Sequence, residues 1–156
     1  MAETKPRPWT PNEERFGTIA VRIMSVVNTG LFRASGGRFG SRFLRGAPVC
    51  LITTIGARSG ERRTTPLIYL AVDENVVIVA SKGGMSHHPA WYHNLAKHPE
   101  AQVQIGRSVR EMVARRASDA EKTTLWSRLL EIYPDYDDYQ ARTDRNIPVM
   151  ILSPRR

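Results

Sequence analysis

The sequence predicts an α+β fold in which antiparallel strands close into a small barrel and helices lie at its ends. Short apolar segments rich in Val, Ile and Thr alternate with turn residues over most of the chain. Helical patterns are confined to the beginning and to two later stretches. The length of 156 residues corresponds to one domain, so we expect all elements to belong to a single unit without internal repeats.

The first predicted element is a helix that begins at Glu14. Residues 1–13 are rich in proline and charge, and we expect them to be mobile, which leaves 14–156 as the domain. One face of this helix is apolar, with Arg15, Arg22 and Arg33 elsewhere on it; the face carries Phe16, Ile19, Ala20, Ile23, Met24, Val27 and Leu31. Such a face either packs against the domain or a partner, or makes peripheral contact with an anionic membrane, and both interpretations stay open.

The other elements follow from turn chemistry and alternation. A flexible linker is expected over 36–41. Strands are predicted at 48–55, at 63–72 and 75–80 as a hairpin, at 101–105 and 109–113 as a second hairpin, and at 147–152. A short helix is predicted over 88–98 with Pro89 in its first turn. Ser118 and Glu121 form a capping box before a helix that stops ahead of Pro134.

Charge and cysteine content limit the function classes. The net charge of +8 favours an anionic partner: a phosphate-bearing ligand, a nucleic acid or an acidic membrane surface. Cys50 is the only cysteine, which excludes an intrachain disulfide and suits a reducing cytoplasm. We expect no signal peptide and no membrane-spanning segment. The spacing of His87, His88, His93 and His98 suits no common zinc motif, so no metal is expected.

A glycine-rich basic loop follows the first predicted strand. It lacks the Gly-Lys-Ser/Thr of a Walker loop and the Gly-x-Gly-x-x-Gly of a dinucleotide fingerprint, which argues against an ordinary ATP or NAD site. Arg58, Ser59 and Arg63 nevertheless suit an anion, because glycines let backbone amides approach closely and arginines add countercharge. The alternative is a solvated hairpin turn. Ser81-Lys82-Gly83-Gly84 offers a second close approach at a strand end, or a simple loop.

Aromatic residues near these loops suit a flat organic ring. Trp91 and its small neighbours could hold one or could belong to the core, and Asn94 could cap the helix or bind a ligand. Tyr133, Tyr136 and Tyr139 are spaced three apart and share a face if a helical turn continues there. They would line a pocket as hydrogen-bonding phenols, or pack as a surface turn. No Ser-His-Asp order or Cys-His pair indicates nucleophilic hydrolysis.

At these residues the chain resembles the deazaflavin (coenzyme F420)-dependent nitroreductase family of actinobacteria, from about residue 15 onward. The matching words are Leu-Ile-Thr-Thr-Ile-Gly-Ala-Arg-Ser-Gly, Arg-Thr-Thr-Pro-Leu, Ala-Ser-Lys-Gly-Gly, His-Pro-Ala-Trp-Tyr-His-Asn-Leu, Tyr-Pro-Asp-Tyr-Asp-Asp-Tyr and Thr-Asp-Arg-Asn-Ile-Pro. The resemblance implies a split β-barrel, like that of FMN-binding proteins, with an N-terminal helix and short peripheral helices. It implies hydride transfer from reduced F420 to quinones, with nitroaromatics or activated alkenes as further acceptors.

The resemblance also implies site residues. Cofactor contacts fall on Ala57, Arg58, Ser59, Arg63, Thr64, Thr65, Pro66, Leu67, Ile68, Val79, Ala80, Ser81, Lys82, Ala90, Trp91, Tyr92, His93, Asn94 and Tyr136. Among these, Arg58 and Arg63 would hold the phosphate and Lys82 the acidic tail. Residues 79–81 would face the deazaflavin ring. The catalytic acceptor pocket would be lined by Ser81, Tyr133, Tyr136 and Tyr139.

Two departures from the family pattern affect this expectation. The nitroimidazole-activating branch has an aromatic residue where this chain has Ile68, with Tyr69 next to it, so quinone reduction is expected and nitroimidazole reduction stays open. Ala57 replaces a basic residue in the phosphate loop, and Arg58 and Arg62 are expected to compensate. The alternatives are an FMN-dependent oxidoreductase, a non-catalytic F420 carrier and a nucleic-acid-binding module. We expect no nucleic-acid binding, because the arginines are scattered and no recognised motif is present.

Overall fold

The computed structural model describes residues 5–38, 42 and 46–156, and its centre is a closed antiparallel barrel. Its six strands are β1 (Val49–Ile55), β2 (Arg62–Val72), β3 (Asn75–Val79), β4 (Glu100–Ile105), β5 (Ser108–Arg116) and β6 (Val149–Pro154). They pair in the order β1-β2-β3-β6-β5-β4, and β4 returns to β1 through the register Ile52 opposite Val103. The predicted α+β barrel is confirmed.

Four helices and one 3-10 turn surround the barrel in the described part of the chain. They are α1 (Pro11–Ala34), the turn at Lys82–Gly84, α2 (Ala90–Lys97), α3 (Asp119–Ile132) and α4 (Asp135–Arg142). The predicted capping box of α3 is present, with the Ser118 side chain accepting from the Glu121 amide. In the linker predicted over 36–41, residues 36–38 form a turn and residues 39–41 lie outside the described residues.

Helix α1 and strand β5 extend beyond their predicted bounds for local reasons, and strand β6 runs over Val149–Pro154 where 147–152 was predicted. Helix α1 begins at Pro11, because Thr10 and Glu13 form a capping box that the sequence pattern did not weigh. Strand β5 continues to Arg116, because it pairs with β6 through Arg115 opposite Ile151. The mobility of residues 1–13 stays a prediction; in the structure, the Trp9 indole donates to the Gly83 carbonyl at 2.7 Å.

The two faces of the strands bury two separate apolar clusters. The interior cluster fills the barrel and is closed at one end by Trp91 and Leu95 of α2. The outer cluster lies between the sheet and helices α3 and α4. Because side chains alternate along a strand, the neighbours Ile68 and Tyr69 belong to different clusters, Ile68 to the outer and Tyr69 to the interior one.

Helix α1 contacts the barrel through few of its apolar residues. Phe32 is its buried residue, with a relative exposure of 0%. The predicted apolar face is exposed instead, from 49% at Ile19 to 75% at Phe16, and Val21 and Val26 are exposed as well. The interpretation that this face packs against its own domain is therefore wrong. Among the described residues, no helix has the length and apolar composition to cross a bilayer.

Candidate active site

The glycine-rich loop between β1 and β2 has a left-handed backbone at Gly60 and little room for a side chain at Gly56. The Gly60 amide donates to the Gly56 carbonyl at 2.9 Å, and the Gly56 amide donates to the Glu61 carbonyl at 2.8 Å. A Cβ on Gly56 would lie 2.5 Å from the Ser59 hydroxyl oxygen, and Gly60 has a φ of +69°. The loop is therefore a closed turn with its Arg58 and Ser59 side chains exposed.

Asn94 of α2 fixes this loop from inside. Its Oδ1 accepts the Ala57 amide at 2.9 Å, and its Nδ2 donates to the Thr54 hydroxyl at 3.0 Å. Lys97 donates to the Ala57 carbonyl at 2.7 Å. The side chain of Asn94 is 7% exposed and its polar atoms are engaged within the protein, so it positions the loop. Trp91, one helical turn before, is 7% exposed and packs in the interior cluster, as the core interpretation expected.

Cationic side chains cluster around the loop and the adjoining start of β2. Arg63 pairs with Glu61 at 2.6 Å, and Arg62 donates to Gln102 at 3.4 Å. Arg33 of α1 reaches Thr64 at 3.0 Å, which brings a fourth arginine to the strand. Within the part of the chain that the structure describes, the Arg58 and Ser59 amides have no hydrogen-bond partner. This set of free amides and exposed guanidiniums suits a phosphate or carboxylate ligand.

The end of β3 leads into three successive left-handed residues. Lys82, Gly83 and Gly84 have φ values of 45°, 63° and 77°, and the first of these is unusual for a residue with a side chain. The Lys82 ammonium lies 2.7 Å from the His87 Nε2, and burial lowers the pKa of Lys82. Ala80 is fully buried and Ser81 is 9% exposed, so this part of the predicted cofactor edge presents little accessible surface.

Arg145 holds this strand end, a role that sequence reasoning missed. Its guanidinium donates to the carbonyls of Met85 at 2.8 Å, Ala80 at 3.1 Å and Ser81 at 2.6 Å. It also lies 3.0 Å from the His88 Nδ1, which must accept because arginine only donates. Burial and the Arg145 charge lower the pKa of His88, in keeping with a neutral ring. The only sequence signal was its place in the matching word Thr-Asp-Arg-Asn-Ile-Pro.

The three predicted tyrosines form one cluster. Tyr133 ends α3 and Tyr136 lies in α4, with their ring centroids 5.1 Å apart, and the hydroxyls of Tyr133 and Tyr139 lie 3.0 Å from each other. Burial raises the pKa of Tyr133, reinforced by the Tyr139 hydrogen bond, and burial raises the pKa of Tyr136. These phenols therefore keep their protons at neutral pH. Ile68 and Val79 belong to the same outer cluster.

The turn at Lys82–Gly84 and helix α4 are in direct contact. A Cβ on Gly84 would lie 2.5 Å from the Tyr139 carbonyl oxygen, so only glycine lets the two backbones approach this closely. This contact brings residues 79–84 and the three tyrosines to one end of the barrel. The glycine-rich loop between β1 and β2 is joined to this region through α2. His88 lies just before α2, and its ring centroid is 4.5 Å from that of Tyr92.

The ring-binding end of the predicted site is closed by its own side chains. Tyr133 and Tyr136 are 3% and 4% exposed, and Val79 is 7% exposed. Two clefts found among the described residues lie elsewhere. One of about 410 Å³ is lined by residues of α3 and the sheet, including Leu125 and Ile151, and one of about 360 Å³ lies between α1 and His87. Of the other predicted contacts, Ala90 and His93 are exposed and Tyr92 is half-buried.

Comparison with known proteins gives one family. The model of the F420H(2)-dependent quinone reductase family matches residues 24–154. The F420H(2)-dependent quinone reductase Rv1261c of Mycobacterium tuberculosis is 35% identical over 140 residues, which cover 88% of this chain and 93% of that protein.

Two solved structures are similar as well. A structure of the F420-H2 dependent reductase FDR-A is 41% identical with a TM-score of 0.64, and covers 68% of this chain and 94% of its own. A chain described as a domain-swapped dimer is 38% identical with a TM-score of 0.66, and covers 87% of this chain and 98% of its own. The split-barrel fold implied by the resemblance is confirmed.

Proposed function

Because this chain belongs to the F420H2-dependent quinone reductase family, it is an oxidoreductase that uses reduced coenzyme F420 as hydride donor, and we propose how its residues divide that task. The glycine loop with Arg58 and Arg63 holds the cofactor's phosphate. Lys82 serves the acidic tail. The end of β3 and Tyr136 face the ring, and Ser81 with the three tyrosines lines the acceptor pocket. The observation that carries this division is the contact between Gly84 and Tyr139.

The donor set of the loop fits the anionic part of the cofactor. F420 carries a phosphate and carboxylates, and the loop offers two free amides with Arg58, Arg62 and Arg63 within the neighbouring residues. Arginine suits phosphate, because its planar fork donates two parallel hydrogen bonds. Arg62 and Arg58 together supply the charge that Ala57 lacks.

The residues proposed to contact the deazaflavin ring have suitable chemistry, but some of their side chains must move to admit it. Val79 and Ile68 are apolar neighbours for a flat ring, and the buried tyrosines must turn aside to admit it. The apolar side chains around this end would keep water away from a bound hydride donor and so limit its side reactions. When bound, reduced F420 supplies the hydride, and the quinone is the acceptor.

The phenols act as hydrogen-bond donors in this proposal. The raised pKa values of Tyr133 and Tyr136 keep the protons on their oxygens, so these phenols can stabilise negative charge that develops on a quinone carbonyl oxygen. The hydrogen bond between the Tyr133 and Tyr139 hydroxyls orients the two phenols relative to each other. The Ser81 hydroxyl is the other candidate donor at the strand end.

The direct test is a fluorescence titration of the purified protein with F420, followed by oxidation of the reduced cofactor with menadione. We expect saturable binding and acceptor-dependent oxidation. Binding without oxidation by any quinone would favour the carrier alternative. A purified protein that shows flavin absorbance and does not bind F420 would favour the FMN alternative and contradict the proposal.

Nitroimidazole reduction depends on the residue at position 68 in this proposal. Ile68 lies on the tyrosine side of the sheet and Tyr69 lies inside the barrel, so the neighbouring ring does not replace the aromatic residue found in the nitroimidazole-activating branch. We expect quinone reduction to exceed nitroimidazole reduction in the natural protein. Ile68→Tyr should raise the nitroimidazole rate relative to the quinone rate, whereas Tyr69→Phe should leave this ratio unchanged.

The exposed apolar face of α1 suggests where in the cell the enzyme acts. We propose that it lies on an anionic membrane, where lipid-soluble quinones reside. Eight large apolar side chains of α1 are exposed, Arg15 and Arg22 lie among them, and the chain has a net charge of +8. The combination of apolar area and positive charge matches a surface with acyl chains and anionic headgroups.

Cosedimentation with vesicles tests this location. The protein should sediment with phosphatidylglycerol vesicles and far less with phosphatidylcholine vesicles. Replacing Phe16 and Val26 by Ser should abolish binding, and replacing the exposed barrel residues Val109 and Val113 should not. Failure to bind vesicles, together with self-association that the α1 variant abolishes, would show that a second copy covers this face instead.

A further inference from the structure

We propose that Arg145 is the positioning residue of the cofactor edge, holding residues 80–85 in the conformation that aims Lys82 at the cofactor's acidic tail. This inference rests on the proposed function, because it assigns Lys82 a part in F420 binding. We do not propose that Arg145 contacts the cofactor. It acts through the backbone carbonyls to which it is hydrogen-bonded.

The hydrogen bonds of Arg145 bracket the left-handed segment on both sides. Two of its acceptors, the Ala80 and Ser81 carbonyls, precede Lys82, and the third, the Met85 carbonyl, follows Gly84. Inside this bracket the Gly84 amide donates to the Ser81 carbonyl at 2.9 Å, and the Met85 amide donates to the Lys82 carbonyl at 3.1 Å. One side chain thus ties together the start and the end of the turn.

The conformation of Lys82 requires such external support. A residue with a Cβ is strained in the left-handed region, and it remains there only where surrounding contacts determine the backbone. Lys82 has a φ of 45° and follows directly on the Ser81 carbonyl, which is the shortest of the Arg145 hydrogen bonds at 2.6 Å. Without this hold, the preferred backbone of Lys82 would turn its side chain elsewhere.

The elements that Arg145 joins are distant in sequence. It follows α4, contacts the end of β3, and touches His88 ahead of α2. It therefore links the segment that follows the helix of Tyr136 and Tyr139, the ring-facing strand end and the segment that leads to Asn94, which fixes the loop. A lysine cannot replace it, because a point charge with three donors on a flexible stem lacks the planar fork that reaches three carbonyls and a ring nitrogen.

Amide hydrogen exchange in the absence of cofactor tests the hold itself. In Arg145→Lys the Gly84 and Met85 amides should exchange at least about tenfold faster than in the natural protein. The barrel amides, such as those paired between Val77 and Ile151, should keep their rates. Unchanged exchange at Gly84 and Met85 would overturn the proposal, and so would equal acceleration throughout the barrel, which indicates a general structural role.

A double-mutant cycle on F420 affinity tests the link to Lys82. Arg145→Lys should weaken F420 binding at least about tenfold when Lys82 is present, and less than about twofold when Lys82 is already Ala. Additive effects would contradict action through Lys82. The matched control Arg110→Lys removes a single contact, to the Glu74 carbonyl, and should leave affinity unchanged. If the natural protein bound no F420, the proposed function would fail and the exchange experiment would still decide the role of Arg145.

Discussion

Arg63 illustrates how a predicted ligand contact is modified by its neighbours. Its guanidinium lies 2.6 Å from a Glu61 carboxylate oxygen, and both side chains are exposed. An exposed ion pair contributes little, so Arg63 can leave Glu61 for a phosphate at small cost. Loss of a charge-assisted hydrogen bond to phosphate should weaken F420 binding by roughly 1.5–3 kcal/mol in Arg63→Ala.

Glu61→Gln provides the matched variant for this residue. It frees Arg63 without removing it, so F420 binding should stay equal or strengthen by up to roughly 1 kcal/mol. Both affinities follow from the same fluorescence titration. Weaker binding in Glu61→Gln, or an unchanged affinity in Arg63→Ala, would remove Arg63 from the phosphate site.

Tyr136 carries a separate prediction about turnover. Removing its hydroxyl in Tyr136→Phe should lower the rate of menadione reduction by on the order of 10²-fold, as for the loss of one donor to developing negative charge. F420 affinity should change little, because the ring remains. Tyr69→Phe is the control, since Tyr69 lies in the interior cluster. Equal rates in Tyr136→Phe and the natural protein would exclude the donor role.

At the scale of single residues, the sequence indicated candidate side chains for the site but not what they contact. The glycine turn and Tyr139 of the predicted site are in contact, and the loop that carries Arg58 is tied to α2 through Ala57. Asn94 was predicted as a cap or ligand contact. Its side-chain amide is hydrogen-bonded to Ala57 and Thr54 instead, which lie 37 and 40 positions away in the sequence. Such long-range pairings leave no local pattern, which is also why Arg145 was missed.

The contact between the glycine turn and α4 is the element on which the acceptor pocket depends. Gly84→Ala would place a Cβ 2.5 Å from the Tyr139 carbonyl, whereas a Cβ on Gly83 meets nothing within 4 Å. Both glycines have positive φ, so both substitutions strain the backbone to a similar degree. Gly84→Ala should therefore destabilise the protein by about 1–3 kcal/mol more than Gly83→Ala, the usual cost of overpacking.

Urea unfolding of the two alanine variants measures this difference. A larger loss in the Gly84 variant, accompanied by slower menadione reduction, would establish that the turn and α4 must stay in contact. Equal stabilities of the two variants would show that α4 can shift away from the turn at no cost.

At the scale of elements, turn residues and alternation predicted the hairpins well. Asp73 with its φ of 53° and Gly106 with its φ of 58° lie at the hairpin turns, where such values favour Asn, Asp and Gly. The end of β5 was predicted too early, because the apolar alternation stops before the arginines at 115 and 116. These residues are in the strand because they pair with β6. The exposed face of α1 was invisible to periodicity, which reports amphipathic character and not the partner.

The whole molecule should lose stability in alkaline solution for a reason that lies in its two clusters. Burial raises the pKa of the Cys50 thiol to about 12, and burial also raises the pKa of Tyr133 and Tyr136. The unfolded chain ionises at the ordinary values while the folded chain does not. Stabilisation by the neutral groups is therefore complete below about pH 9 and is lost as the pH rises toward the folded values.

Cys50→Ala separates the thiol from the phenols. The unfolding free energy of the natural protein, measured relative to this variant, should fall by up to about 1.4 kcal/mol per pH unit above pH 9. Chemical denaturation at a series of pH values provides the measurement. A difference that stays constant from pH 8 to pH 11 would contradict the burial of the thiol as the cause.

Closure of the barrel has a consequence for the behaviour of this protein at high concentration. Each of the six described strands is hydrogen-bonded on both sides, so the sheet offers no free edge to a strand of another molecule. Ordered fibril growth from the native state therefore lacks a template. We expect aggregation of the folded protein to proceed mainly through the exposed apolar face of α1, and a mild detergent should disperse such aggregates without unfolding the chain.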